Sequence, residues 1–127
     1  MSYALIAGID DVDPFSCQRT EVMYVDGTTK ICQSTANYPE HVHALAGGSF
    51  LNNNLIVACG GSRNFDGTVL SSACYSMSND TKWTNFANLT KPISETASVI
   101  VKNGLWMTGN DVINSNELSS PKIIQLQ

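Results

Sequence analysis

The sequence predicts an all-β protein, and three observations support that prediction. No stretch of a dozen residues repeats its apolar side chains at the spacing of an amphipathic helix. Short runs rich in β-branched and aromatic residues recur along the chain, separated by turns that contain Asn, Asp and Gly. With 127 residues, of which 43% are apolar, the chain is also large enough to bury a core.

Ten runs are predicted as strands. In chain order they are Tyr3–Ile9, Thr20–Val25, Lys30–Ser34, Val42–Phe50, Leu55–Cys59, Ala73–Met77, Trp83–Ala87, Thr96–Val101, Leu105–Thr108 and Lys122–Leu126. Turn signals between them include Asp26-Gly27, Asp66-Gly67 and Asn79-Asp80. Asn103-Gly104 is the strongest signal, because both central residues of a tight hairpin turn take positive φ, which Asn and Gly adopt at low cost.

Three of these apolar strands end at a glycine, at intervals of about 50 residues. The segments "SYALIAGI", "NNNLIVACGG" and "VKNGLWMTGN" place Gly8, Gly60 and Gly109 at the same point of the pattern. In two units a tyrosine is followed eight residues later by a cysteine or a tryptophan: Tyr24 precedes Cys32, and Tyr75 precedes Trp83. We therefore expect the two hairpins that carry these tyrosines to have the same length.

A unit of about 50 residues with four short strands cannot bury its own inner face, so such units must stack on one another. The middle copy, with a strand ending in Gly60-Gly61, then Tyr75, a hairpin and Trp83, resembles a kelch repeat. The other copies depart from this pattern, with Cys32 at the Trp position and Asn110 at the second glycine. The resemblance implies a partial kelch-type β-propeller of about two and a half four-stranded blades. Its blade segments are about 1–37, 38–90 and 91–127.

Two and a half blades leave sheet edges open, and open edges favour association. We expect either a fragment of a longer chain or a protomer that assembles, with further kelch blades supplied by the full-length chain or by oligomerisation. In this arrangement Gly60 and Gly61 end their strand where a side chain would collide with neighbouring blades.

Composition excludes two classes of function. A net charge of -4 with 14% charged residues offers no basic patch for nucleic acid. The longest apolar runs are far shorter than the roughly 20 residues of a membrane span. The first ten residues lack the basic region of a signal peptide.

The cysteines nevertheless favour a secretory setting. Cys59 and Cys74 end one predicted strand and begin the next, where an antiparallel pair brings Cβ atoms within bridging distance, so we predict a disulfide. The pairing of Cys17 with Cys32 is left open. Sequons at Asn79 and Asn88 are candidate glycosylation sites, and the chain resembles cysteine-bearing secreted or cell-surface kelch proteins. We expect an extracellular or cell-surface location, with a cytoplasmic one as the alternative.

Motifs for catalysis, metals and cofactors are weak. Gly60-Gly61 lacks the spacing and lysine of a phosphate-binding loop. His41 and His43 would share a strand face but have no identifiable third ligand, and the Asp10–Asp13 loop lacks the calcium-loop glycine and glutamate. No nucleophile motif is present. We therefore expect no catalytic residue, no metal and no cofactor.

The sequence thus favours a non-catalytic module that binds a protein or glycan through loops on one propeller face. Both long loops, 10–19 and 62–72, follow the second strand of a unit and would lie on that face. The predicted contact residues are Arg63, Asn64, Phe65, Asp66, Asp11, Asp13 and Phe15. The alternative is a fragment of a kelch-type propeller enzyme, either a galactose-oxidase-like oxidase or a sugar-acid mutarotase. The oxidase would require tyrosine and histidine copper ligands with a cysteine–tyrosine crosslink. We cannot assign such a set to the Tyr, His and Cys positions of this sequence.

Overall fold

A computed structural model describes residues 2–7, 18–43, 46–50, 55–64, 68–78, 82–102, 104–110 and 122–126. The elements in these ranges are all β-strands, which confirms the all-β prediction. They are β1 (Ser2–Ala7), β2 (Thr20–Asp26), β3 (Thr29–Ser34), β4 (Ala46–Phe50), β5 (Leu55–Cys59), β6 (Ala73–Ser78), β7 (Trp83–Asn88), β8 (Ser94–Val101), β9 (Gly104–Asn110) and β10 (Lys122–Leu126). Each predicted strand is present. Within the described ranges, no helix has the length and hydropathy to cross a bilayer.

The strands form three antiparallel sheets that follow one another along the chain. The first sheet has the order β1-β2-β3, the middle sheet β4-β5-β6-β7, and the last sheet β10-β9-β8. As described, none of the three sheets closes on itself, so each has two edge strands. Every neighbouring pair is a hairpin neighbour in sequence, the simplest connection that antiparallel strands allow.

Three turns are predicted from glycine-containing dipeptides, of which Asp66-Gly67 lies outside the described residues and one other lies a residue earlier than expected. Asp26 pairs with Thr29, so the turn between β2 and β3 contains Gly27, whose φ of 58° suits glycine. In the other hairpin Val101 pairs with Gly104. Gly104 is therefore the first residue of β9, and Lys102 takes the positive φ of 55° that the prediction gave to Asn103-Gly104. Asn103 itself lies outside the described residues.

Strand β4 is shorter than predicted at its beginning. The prediction placed its start at Val42, whereas the strand runs from Ala46. Val42 is buried, and His43 forms an isolated antiparallel bridge with Ser62. The apolar character of Val42 reflects packing in the segment before the strand.

The expectation that the hairpins of Tyr24 and Tyr75 have equal length is wrong. Two residues separate the pair Asp26–Thr29, whereas residues 78–82 separate Met77 from its partner Trp83. The two tyrosines also lie at different positions of their units, since Tyr24 lies opposite Tyr3 on β1 while Tyr75 lies opposite Ala58 on β5. The eight-residue spacing is therefore a coincidence of sequence.

The position of Cys32 does follow the repeat. Met23 lies opposite both Ala4 and Cys32, just as Met77 lies opposite both Ile56 and Trp83. Cys32 is thus the counterpart of Trp83, as the sequence comparison indicates. It is exposed, and it is the unpaired cysteine of the described part of the chain.

A cluster that we call the disulfide cluster joins the middle sheet to the last sheet. Its buried members are Val57, Cys59, Cys74, Leu89, Ile93, Leu105 and Met107. Val57 and Cys59 lie two residues apart on β5, so they point to the same face, and Leu105 and Met107 do the same on β9. Strand β8 also lies against β4. These contacts hold the two sheets face to face.

A second cluster, the aromatic cluster, covers the other face of β5. Its buried members are Tyr38, Val42, Ile56, Ala58, Met77 and Trp83. The ring of Tyr38 packs edge-on against Trp83 and Tyr75, with centroid distances of 5.1 and 5.3 Å. Tyr75 and Trp83 therefore pack in the interior beside the middle sheet, whereas the side chain of Tyr24 lies outside the described residues.

Polar atoms of the aromatic cluster link it to the first sheet. Trp83 donates its Nε1–H to the carbonyl of Ala36 at 3.1 Å, and Thr20 Oγ1 lies 3.4 Å from the same nitrogen. Thr20 begins β2 and donates to the same Ala36 carbonyl at 2.9 Å. The middle sheet therefore contacts the first sheet through directed hydrogen bonds.

Candidate functional site

The loop between β5 and β6, which we call the 60–72 loop, is closed at its base by covalent and hydrogen bonds. Cys59 and Cys74 face each other in register and form a disulfide, as predicted. Ala73 accepts a hydrogen bond from the Gly60 amide at 3.0 Å, and Gly61 accepts one from the Ser71 amide at 2.8 Å. Closing a loop of this length contributes about 3 kcal/mol in the chain-entropy account. The loop thus leaves the sheet from a rigid base.

The glycines at the start of this loop are required by conformation and by space. Gly60 and Gly61 have φ of 73° and 95°. A Cβ on Gly60 would lie 2.6 Å from the carbonyl oxygen of Ile93, which also accepts the Gly61 amide at 2.8 Å. Ile93 directly precedes β8. The predicted collision of a side chain is thus confirmed for Gly60, and the obstacle is the Ile93 carbonyl, in the connection to the last sheet.

Inside the loop, the Asn64 side chain joins two parts of the loop by hydrogen bonds. Its Oδ1 accepts the Val69 amide at 3.0 Å, and its Nδ2 donates to Thr68 Oγ1 at 2.8 Å. The Arg63 amide donates to the Val69 carbonyl at 2.7 Å, and Ser62 bridges to Leu70. The carboxamide predicted as a contact group is therefore engaged at both ends within the loop.

Glu40 lies beneath the loop and connects it to β6. Its Oε1 accepts hydrogen bonds from Arg63 Nη2 at 2.9 Å and from the Tyr75 hydroxyl at 3.3 Å. Its Oε2 accepts one from Ser71 Oγ at 2.6 Å. The Glu40 side chain is 15% exposed, whereas that of Arg63 is 51% exposed. The Arg63 side chain is thus half exposed to solvent while a partly buried carboxylate fixes its position.

The surroundings of Glu40 favour its ionised form. Burial by itself raises the pKa of the carboxyl, but hydrogen bonds from Ser71 and Arg63, the charge of Arg63 and the Tyr75 hydroxyl together lower it. The pKa of Tyr75 is raised, first by burial and then by the neighbouring Glu40 carboxylate. Glu40 therefore acts as an anionic anchor for the base of the loop.

The two histidines lie beside this anchor. The rings of His41 and His43 pack edge-on with centroids 5.7 Å apart. Burial, followed by the charge of His41, lowers the pKa of His43. In the ranges that the structure describes, no group of three or more His, Cys, Asp or Glu side chains is placed to hold a metal ion. The backbone of His43 has a structural role, since its N–H and C=O both bond to Ser62 at 2.8 Å.

Several predicted site residues lie outside the described residues. They are Asp11, Asp13, Phe15, Cys17, Phe65, Asp66 and Asn79. Of the predicted contact residues, Arg63 and Asn64 are described, at the start of the 60–72 loop. The sequon residue Asn88 is exposed at the end of β7, next to the buried Leu89.

Sequence reasoning missed Tyr38, Glu40 and Ser71. Tyr38 is 2% exposed and Ser71 is 1% exposed, so both belong to the interior that supports the loop. The segment "TANYPEH", residues 35–41, has no strand pattern and lies between two predicted strands. The signal that could have identified the site is the pair of residues that flank Pro39, Tyr38 and Glu40. An aromatic residue and a carboxylate are not required in a short polar connection, so their presence indicates packing and an ionic contact.

Comparison with known proteins gives a likeness of fold alone. No protein-family model and no curated protein matches the chain. It is similar to the solved structure described as "Structure of YjhT", with a TM-score of 0.65, 13% sequence identity and 87% of this chain covered. The aligned region spans 38% of that chain, so the present sequence corresponds to well under half of the length of the structure it matches.

Proposed function

We propose that this chain is a non-catalytic interaction module built from kelch-type propeller repeats. It binds a protein or glycan partner through loops on one face, with the 60–72 loop as the principal contact. The observation that carries this proposal is the construction of that loop. Its base is fixed by a disulfide, by glycine-specific turns and by Glu40, while Arg63 remains half exposed above them.

A loop built in this way suits recognition for a thermodynamic reason. Binding costs conformational entropy when a loop must become ordered, and a loop held in one conformation before binding avoids much of that cost. The disulfide and the Asn64 hydrogen bonds restrict the loop in the free chain. Arginine and aromatic side chains are the commonest dominant contacts in interfaces, which favours Arg63 and Phe65 as the anchors.

The propeller arrangement is part of the proposal. Support for it comes from three consecutive antiparallel sheets, from the glycine-ended strand in each unit, and from the packing of the middle sheet on its neighbours. The buried disulfide is typical of proteins outside the reducing cytosol, so we place the module in the extracellular or cell-surface environment.

The experiment starts from the intact, oxidised chain. It is screened against a glycan array and by cross-linking to cell-surface proteins, and the partner obtained is purified and titrated by calorimetry. Phe65→Ala and Arg63→Ala should each weaken binding by about tenfold or more, as expected for anchor residues.

Val69→Ala is the matched control, because Val69 is an exposed apolar residue of the same loop, 47% exposed. It should leave the affinity within about threefold. Phe65→Ala and Val69→Ala should keep the wild-type unfolding transition, whereas Arg63→Ala removes the ion pair with Glu40 and should lower the free energy of unfolding by about 1 kcal/mol or less. Unchanged affinity in both Phe65→Ala and Arg63→Ala would remove the loop from the interface. Stoichiometric copper bound by the purified chain would instead favour the oxidase alternative.

A further inference from the structure

An apolar groove lies on the outer face of the last sheet. It has a volume of about 420 Å³, and its lining comes entirely from β8 and β9. The lining residues are Ala97, Ser98, Val99, Val101, Trp106, Met107 and Thr108. Val99 is 58% exposed and Val101 is 49% exposed. Val99 and Trp106 face each other across the two strands, so they form one continuous apolar surface.

The sequence repeat shows which surface of the middle sheet corresponds to the groove on the last sheet. Counted back from the glycines that end the two strands, Trp106 and Thr108 occupy the positions that Val57 and Cys59 occupy in β5. Val57 and Cys59 are fully buried, and the residues packed against them include Leu105 and Met107 of the next sheet. The groove is therefore the counterpart of a surface that, one sheet earlier, another sheet covers.

The first sheet offers the opposite half of the same interface. Counted back from Gly8, the positions equivalent to Leu105 and Met107 are Ala4 and Ile6, both apolar. Met23 lies opposite Ala4 and is partly exposed, and Cys32, opposite Met23, is exposed. One chain thus carries both complementary surfaces at the two ends of its row of sheets, which is the arrangement that generates head-to-tail association.

We propose that the groove on the last sheet binds the first sheet of a second copy of this chain. The contact repeats the packing of the middle sheet against the last sheet, with Val99 and Trp106 on one copy and the face of Met23 and Cys32 on the other. It is heterologous, so one copy keeps its first-sheet face and the other keeps its groove, and the two copies can close into a ring or further copies can add at these free faces. This proposal rests on the repeat arrangement proposed above and is independent of the binding role of the 60–72 loop.

The test measures the native mass of the intact chain by sedimentation velocity over a wide range of concentration. We expect reversible association to at least twice the 13.7 kDa of one chain. Val99→Lys blocks the groove and Met23→Lys blocks the opposite face, and each should weaken self-association by on the order of tenfold or more. Val69→Lys introduces the same charge at an exposed valine outside both faces and should associate like the wild type.

Mixing the two blocked variants separates head-to-tail from symmetric pairing. Val99→Lys retains its first-sheet face and Met23→Lys retains its groove, so an equimolar mixture should recover a two-chain species that neither variant forms alone. Alkylation of the Cys32 thiol should slow as the wild type associates, because Cys32 shares a face with Met23. A wild-type chain that stays at 13.7 kDa throughout, or association unaffected by Met23→Lys, overturns the proposal.

Discussion

The two faces of the middle sheet are packed by different means. On one face, apolar side chains, a disulfide and a close approach of Gly60 to Ile93 fill the space against the last sheet. On the other, aromatic rings carry polar atoms that bond to carbonyls and to Glu40. The first face depends on size and shape, whereas the second depends on the direction of hydrogen bonds. Substitutions that change volume and substitutions that change polarity should therefore affect the two faces differently.

The largest effect is expected from Gly60→Ala on the disulfide face. The left-handed conformation costs an alanine about 1 to 2 kcal/mol, and the new Cβ, 2.6 Å from the Ile93 oxygen, adds about 1 to 3 kcal/mol of overpacking. Chemical denaturation followed by circular dichroism measures the free energy of unfolding. Gly27→Ala is the matched control, because Gly27 has a similar φ of 58° but nothing within 4 Å of the added Cβ. Equal losses in the two variants would show that crowding against Ile93 contributes nothing.

An intermediate effect is expected from Trp83→Phe on the aromatic face. Phenylalanine keeps most of the ring but loses the hydrogen bond to Ala36, so the free energy of unfolding should fall by about 2 kcal/mol. Trp106→Phe is the control, because Trp106 is a partly exposed tryptophan of the groove, and it should cost less than about 1 kcal/mol. The same denaturation assay applies. A larger loss for Trp106→Phe would contradict the distinction between the faces.

The smallest effect is expected from Glu40→Gln, and it should depend on pH. Because the folded chain lowers the pKa of Glu40, the carboxylate contributes stability above its unfolded pKa of about 4.3, and that contribution is lost as the pH falls through the folded pKa. Near neutral pH the variant should lose about 1 kcal/mol. The difference from wild type should shrink in acid. A Glu40→Gln difference that is constant with pH would contradict the anchor role.

The strands were predictable from sequence because each carries its own local signal. Leu55–Cys59 is a short β-branched run bounded by Asn and Gly, and the structure gives the same bounds. The pairing of Cys59 with Cys74 followed from the placement of both residues at strand ends. Such features can be predicted from residues that are close together in the sequence.

The parts that were missed depend on contacts distant in sequence. Nothing near Glu40 indicates that Arg63, Ser71 and Tyr75 will converge on it, because the loop must first fold over the linker. The turn at Lys102 shifted by one residue because the pairing of Val101 with Gly104 outweighs the local preference of Asn103-Gly104. Register is a property of two strands, and each strand alone leaves it open.

The hydrogen bonds of the Asn64 side chain have a consequence for protein engineering. Both ends of its carboxamide form hydrogen bonds, to Thr68 and Val69, and these two bonds join the parts of the loop on either side of positions 65–67. A display library diversified at positions 65–67 would vary the presented chemistry while these hydrogen bonds and the disulfide stay in place. The chain would then serve as a scaffold whose binding specificity is selected separately from its stability.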